Sequence, residues 1–220
     1  MASESDARAV ILGSIRNALR VPAERDDAAR AAEYAALPRG YKQSATQSAE
    51  QLLELFMHRL IEYDAGVMRI APAQIAEAIT KLLTVRRMAS IAIPEGLPAE
   101  WQPAGFQFVH ASALDAQQLD KLDGALTGCT VAIAETGSIV LQNAVAQGPR
   151  ALSLVPDYHL CVVFASQVVE TVPECFARLD GTANLPTTFF SGPSATADIE
   201  MTRIKGVHGP RYLDVLLVLD

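Results

Sequence analysis

The chain has 220 residues, half of them hydrophobic and a fifth charged, which is enough for one globular domain with a substantial core. Its net charge of −7 excludes a polyanion as the main partner, because nucleic-acid backbones are held by clustered Lys and Arg and the longest basic run here is Arg86-Arg87. No apolar stretch reaches the roughly 18–20 residues that cross a bilayer, and residues 1–9 carry Glu4 and Asp6 where a secretory leader is basic. The expected setting is the cytoplasm, with neither membrane nor nucleic acid as partner.

Residues 5–19 place Val10, Ile11, Ile15 and Leu19 at helical spacing, ending near Val21-Pro22. Residues 25–36 continue as an alanine-rich helix that buries little. Pro38-Arg39-Gly40 then breaks the pattern. Residues 1–40 are predicted to be a helical arm that docks a partner or a second copy of the chain, and residues 41–220 to be the folded body.

In the body, Leu52, Leu53, Phe56 and Leu60 mark a helix, residues 67–70 a strand and residues 72–85 a second helix opened by Pro72. Residues 91–93 and 106–109 are short strands, and 116–122 a short helix. Residues 131–134 and 139–141 read as a hairpin, or as two strands with a tight glycine-bearing connection, across Glu135-Thr136-Gly137-Ser138. A strong buried strand spans 159–165, a helix 173–179, and the last strands 187–190 and 212–219. Short apolar runs alternating with helical patterns predict an α/β fold: a mixed, largely parallel sheet with helices on both faces.

Cys129, Cys161 and Cys175 never fall in a C-x-x-C pair and sit among apolar neighbours, as small buried hydrophobes do. An iron–sulfur cluster needs about four closely spaced thiolates, so this chain is expected to hold no cofactor and no metal of its own. G-x-G-x-x-G, G-x-x-x-x-G-K-[ST] and G-x-S-x-G motifs are absent. His159 opens a buried strand and reads as a satisfied structural residue, with a ligand role as the alternative.

Three polar, glycine-bearing loops carry the chemistry. The first is the 135–138 turn, whose backbone N–H groups and hydroxyls can meet an anion. Alternatively, it is a plain hairpin turn with a solvated Glu. Gln147-Gly148-Pro149-Arg150 presents a guanidinium suited to a carboxylate. Residues 191–210 form a long crossing between two buried strands, with Ser194 before a predicted short helix and His208 held between Gly206 and Gly209-Pro210. These loops are expected to converge on one pocket at the strand ends, where open α/β sheets bind ligands. Glu135, Asp198 and His208 are the candidate proton carriers, and Thr136, Gly137, Ser138, Arg150, Ser194 and Thr196 the candidate contacts to a small anionic ligand. The competing reading is that Asp198 and His208 only brace the crossing.

Taken together, residues 134–138 (Ala-Glu-Thr-Gly-Ser), Gly148-Pro149-Arg150, residues 191–200 (Ser-Gly-Pro-Ser-Ala-Thr-Ala-Asp-Ile-Glu) and residues 206–210 (Gly-Val-His-Gly-Pro) resemble the LUD-domain family. The resemblance implies a fold similar to the sugar-phosphate isomerase and CoA-transferase superfamily. It also implies a part in oxidising L-lactate to pyruvate beside other proteins that carry the iron–sulfur clusters. Whether this chain is itself an enzyme does not follow from the pattern. The alternative is an independent protein that binds or converts a sugar phosphate or CoA-like molecule in the superfamily pocket.

Overall fold

The computed structural model describes residues 4–19, 27–197, 203–206 and 208–220. The chain divides into two compact units, Met1–Tyr41 and Lys42–Asp220. The first holds helices α1 (Glu4–Leu19) and α2 (Asp27–Ala35). On α1 the side chains of Val10, Ile11, Ile15 and Leu19 are exposed. Arg39 closes the unit by stacking on the Tyr34 ring at 4.8 Å.

In the second unit, α3 (Ala49–Glu62) starts at a capping box in which Ser48 and Gln51 satisfy each other's backbone N–H. It is followed by β1 (Gly66–Ile70) and α4 (Ile75–Arg86), then β2 (Ser90–Ile93), β3 (Gln107–His110), α5 (Ala116–Leu119) and β4 (Gly124–Thr127). Next come β5 (Val131–Ile133), β6 (Ser138–Gln142), β7 (Tyr158–Phe164), β8 (Val168–Val169), α6 (Val172–Leu179) and β9 (Thr187–Phe190). The chain finishes with β10 (Ala195–Ala197), β11 (Arg203–Lys205) and β12 (Tyr212–Val218).

Six strands form a sheet in the order β1-β12-β7-β4-β2-β3, and every pair in it is parallel. Its inner strands β12, β7, β4 and β2 are buried on both faces, which explains their continuous apolar runs, while the edge strands β1 and β3 are partly exposed. Along β7, Leu160 and Val162 pack with Ile79 and Leu83 of α4, while Cys161 and Val163 pack with Phe56 and Leu60 of α3. Helices therefore cover both faces, α4 on one and α3 on the other. The antiparallel pairs predicted within one mixed sheet lie in a second sheet, β8-β5-β6-β9, layered on the α3 side. They separate because β5 and β6 are buried on both faces too, between α3 with the large sheet and α6. The two-residue β8 is too short to leave a periodic signal.

The short helix predicted after Ser194 does not begin at residues 195–197. Residues 195–197 instead pair antiparallel with 203–205, Thr196 opposite Ile204. Alternating small and β-branched residues suit a pleated ribbon better than a helix face. The base of the ribbon is tied by Ser194 N–H to the Pro210 carbonyl at 2.8 Å and Gly206 N–H to the Ser194 carbonyl at 3.0 Å.

Candidate functional site

The crossing and the second sheet enclose a cleft of about 290 Å³ against the large sheet. Arg150, His159, Phe190, Ser191, Ser194 and His208 are among its lining residues. His159 and Leu213, its register partner on β12, are the second residues of their strands. The cleft thus lies at the amino ends of β7 and β12, whereas open α/β sheets usually bind ligands beyond the carboxyl ends. The reversal arises because β9 brings Phe190 and Ser191 over that edge, with the Phe190 ring 5.2 Å from the His159 ring.

Ser194 is the keystone of the crossing. Besides the two backbone bonds at its base, its Oγ accepts the His208 N–H at 3.1 Å, which sets His208 on the cleft wall. Gly192 has φ +78°, and a Cβ there would come 2.4 Å from Tyr63 Cβ, so only glycine lets the chain turn into the crossing this close to α3. Arg150 and the His208 ring are exposed, and among the described residues neither has an ion-pair partner. Thr196 lies on β10, and its side chain is outside the description. Asp198, predicted as a proton carrier, lies outside the described residues.

Ser138 and Thr136 do not line the cleft but reach its edge through hydroxyls: Thr136 Oγ1 is 2.7 Å from Ser138 Oγ, which is 2.6 Å from Ser191 Oγ. Gly137, at φ +60°, keeps this turn against α3, since a Cβ would meet Arg59 Cβ at 2.8 Å. Glu135 is placed apart from the cleft lining. Its carboxylate takes a hydrogen bond from Lys42 Nζ at 2.8 Å, and Lys42 also pairs with Glu170. Glu170 is fully buried and accepts the Thr46 and Gln47 N–H groups at 2.6 and 2.9 Å. The Lys42 hydrogen bond is the main cause holding its carboxyl at about 2, and Lys42 is raised by its hydrogen bonds to Glu135 first and Glu170 second. Glu170 and Lys42, neither picked out in the sequence, anchor Glu135 on the strap that enters the unit.

His159 is the cleft residue that sequence reasoning left out of the expected site. It is 2% exposed, yet it forms part of the cleft wall. Nε2 lies 2.8 Å from Thr127 Oγ1, and burial lowers its pKa to about 4. An apolar flank on a buried strand is what a purely structural histidine also shows, so no local signal separated the two.

The three cysteines are all buried, as small hydrophobes are. Among the described residues no group of three His, Cys, Asp or Glu side chains is placed to hold a metal ion, and no helix is long and apolar enough to cross a membrane.

Comparison with known proteins agrees with the fold and with the motifs. Residues 41–218 match the LUD domain. Lactate utilization protein C of Deinococcus radiodurans is 41% identical over 181 residues, spanning 81% of this chain and 84% of that one. Its namesake in Geobacillus kaustophilus is 28% identical over 202 residues, spanning 82% and 83%. The crystal structure of a DUF162 family protein from Deinococcus radiodurans is similar at TM-score 0.69 and 36% identity, covering 79% of this chain and 99% of that one.

Proposed function

Because the chain belongs to the LUD domain family, we propose that it works in lactate utilization, as a cytoplasmic subunit or accessory protein of a system that oxidises L-lactate to pyruvate. The observation that supports this is the cleft of about 290 Å³, whose lining includes Arg150, with no ion-pair partner among the described residues, together with Ser191 and Ser194. Arg150 matches a carboxylate through two parallel N–H bonds, and the volume suits a metabolite of a few carbons. His208 is the exposed group able to carry a proton at the cleft wall. The two electrons removed from lactate pass, in this reading, to iron–sulfur clusters in partner proteins. The arm of residues 1–40, with the exposed α1 stripe, docks a partner or a second copy.

Deleting the gene and measuring growth on L-lactate tests the role. Growth should fail and be restored by the wild-type chain, but not by Arg150→Met. A cysteine-rich iron–sulfur protein should copurify with the full chain, and less of it with a chain lacking residues 1–40. Unimpaired growth of the deletion strain on L-lactate as sole carbon source removes the proposal.

A second reading, an independent binding protein or enzyme for a sugar phosphate or CoA-like molecule, is favoured by a separate cavity of about 750 Å³ at the carboxyl ends of β2 and β3. There Glu95 Oε1 accepts the Ser112 hydroxyl at 2.6 Å among mostly apolar walls. Under this reading ligand binding survives Arg150→Met and is lost in Glu95→Ala.

A further inference from the structure

Gln147 is buried in a loop, residues 143–150, whose other members are exposed or half-buried, and it is not among the residues that line the cleft. Its Oε1 accepts the Gln142 backbone N–H at 2.7 Å and the Thr130 hydroxyl at 2.8 Å. A backbone N–H can only donate, so the atom facing it is the amide oxygen, and the Thr130 hydroxyl donates to that oxygen too. One side-chain atom therefore ties the loop to the last residue of β6 and to the residue before β5.

The tie falls three residues before Arg150, at the point where the loop is otherwise held least. Upstream, Ala146 is fixed by its N–H on the Glu95 carbonyl at 2.9 Å and by its carbonyl on the Gly128 N–H at 2.8 Å. Downstream, the Leu152 N–H meets the Pro149 carbonyl at 2.9 Å, the Ser153 hydroxyl donates to the Arg150 carbonyl at 3.2 Å, and Leu152 is fully buried. The ring of Pro149 locks its φ. Between these anchors the Gln147 and Gly148 N–H groups share the Ala144 carbonyl at 3.2 and 3.1 Å. Gly148 is the soft joint. It has φ +70°, and a Cβ there would stand 2.8 Å from Leu152 and 2.9 Å from Pro94, so the site requires the residue whose backbone turns most freely. Gln147 stands directly before that joint, and its Oε1 contacts keep the joint from swinging.

We propose that Gln147 is a positioning residue for Arg150, holding the backbone that carries the guanidinium so that it meets a ligand carboxylate through both of its parallel N–H bonds. This rests on the reading of the Arg150 cleft as a carboxylate site. Arg150 has no ion-pair partner among the described residues, so its place is set through its backbone. A bidentate pair demands geometry as well as charge. A loosened loop leaves the charge in the cleft and loses the second bond.

The test is calorimetric titration of the full chain with L-lactate and with L-lactamide, in which an uncharged amide of nearly the same size replaces the carboxylate. The wild type should bind L-lactate about tenfold more tightly than L-lactamide, through charge-assisted bonds to Arg150. Gln147→Met keeps the length of the side chain and removes the acceptor, and should lower that ratio about fivefold, as one bond of the pair is lost. Thr130→Val removes one of the two donors and should lower the ratio less, and Thr130→Ser, which keeps the hydroxyl, should restore it. A merely structural role weakens both ligands alike, so an unchanged ratio in Gln147→Met overturns the proposal. Should Gln147→Met fail to fold, the Thr130 pair decides: a lower ratio in Thr130→Val than in Thr130→Ser supports the proposal, and equal ratios overturn it. A ratio that falls in Arg150→Met but not in Gln147→Met overturns the role of Gln147 and leaves the carboxylate reading intact. A wild type that binds neither ligand, or a ratio that Arg150→Met leaves unchanged, overturns the carboxylate reading and this inference with it.

Discussion

Ser138 Oγ lies 2.6 Å from Ser191 Oγ, a hydroxyl pair joining the first residue of β6 to the residue just beyond β9. Through it the glycine turn at residues 136–138 is coupled to the cleft, although the two loops are more than fifty residues apart in sequence. The pair also closes one end of the second sheet where the β6–β9 ladder runs out at Ile139 and Phe190.

Breaking this pair should cost stability unevenly. Ser138 is buried, so Ser138→Ala strands two hydroxyl partners and should destabilise the fold by about 1 kcal/mol. Ser191 is exposed at the cleft, so Ser191→Ala should cost less than half of that and act mainly on ligand affinity. Urea melts of both single variants and the double variant check the coupling. Fully additive effects would mean the hydroxyls contribute independently.

The Glu170 site gives the protein an acid limb with a defined window. Its folded pKa of about 2 lies below the ordinary 4.5, mainly through the Lys42 hydrogen bond, so its contribution is complete above pH 4.5 and is lost as pH falls toward 2. Thermal melts from pH 6 to pH 2 should show Tm falling through that window. In Glu170→Gln the starting Tm should be lower and the slope below pH 4.5 shallower. An unchanged slope would assign the acid limb to other carboxylates.

His159 acts in a higher window. Burial lowers its pKa from 6.5 to about 4, so the unfolded chain takes up a proton that the folded chain refuses. Its contribution is complete above pH 6.5 and declines as pH falls to 4, by on the order of 3 kcal/mol for a shift of this size. Denaturant melts at pH 7 and pH 4.5 should reveal the loss in the wild type and its absence in His159→Phe.

At the amino edge of the large sheet, Asp214 is buried, bonded twice by Arg86 at 2.8 and 2.9 Å and by the Tyr158 hydroxyl at 3.0 Å. Gly66 packs so closely that a Cβ would stand 2.0 Å from Asp214 Oδ1. Gly66→Ala must push the carboxylate out of this set of contacts, and should destabilise by about 2–4 kcal/mol. Gly181→Ala, with nothing within 4 Å, is the control and should stay within about 0.5 kcal/mol. Comparable melts for the two variants would show that Asp214 can relocate without cost.

The helices and most of the large-sheet strands were legible in the sequence because they depend on local information. The three- and four-residue spacing of Leu53, Phe56 and Leu60 marks α3 and its inward face, and Pro72 marks the start of the next helical segment. The apolar runs of β7 and β12 announce strands buried on both sides. Arg150, Ser194 and His208 were recognisable as candidates because glycine and proline constrain the loops that carry them. What the chain pattern could not state is which strand lies beside which. That β12, last in sequence, lies between β1 and β7, that β5, β6, β8 and β9 leave the large sheet, and that residues 195–205 pair as a ribbon are all pairings between distant segments. Hydrogen bonds and shared apolar burial between such segments leave no periodic trace in either one. The same cause separates Glu135 from the cleft and brings His159 into it. Lys42 and Glu170 draw the Glu135 carboxylate to their own side, and Phe190 crosses the amino end of β7 to make a wall of a histidine whose neighbours in sequence show only burial.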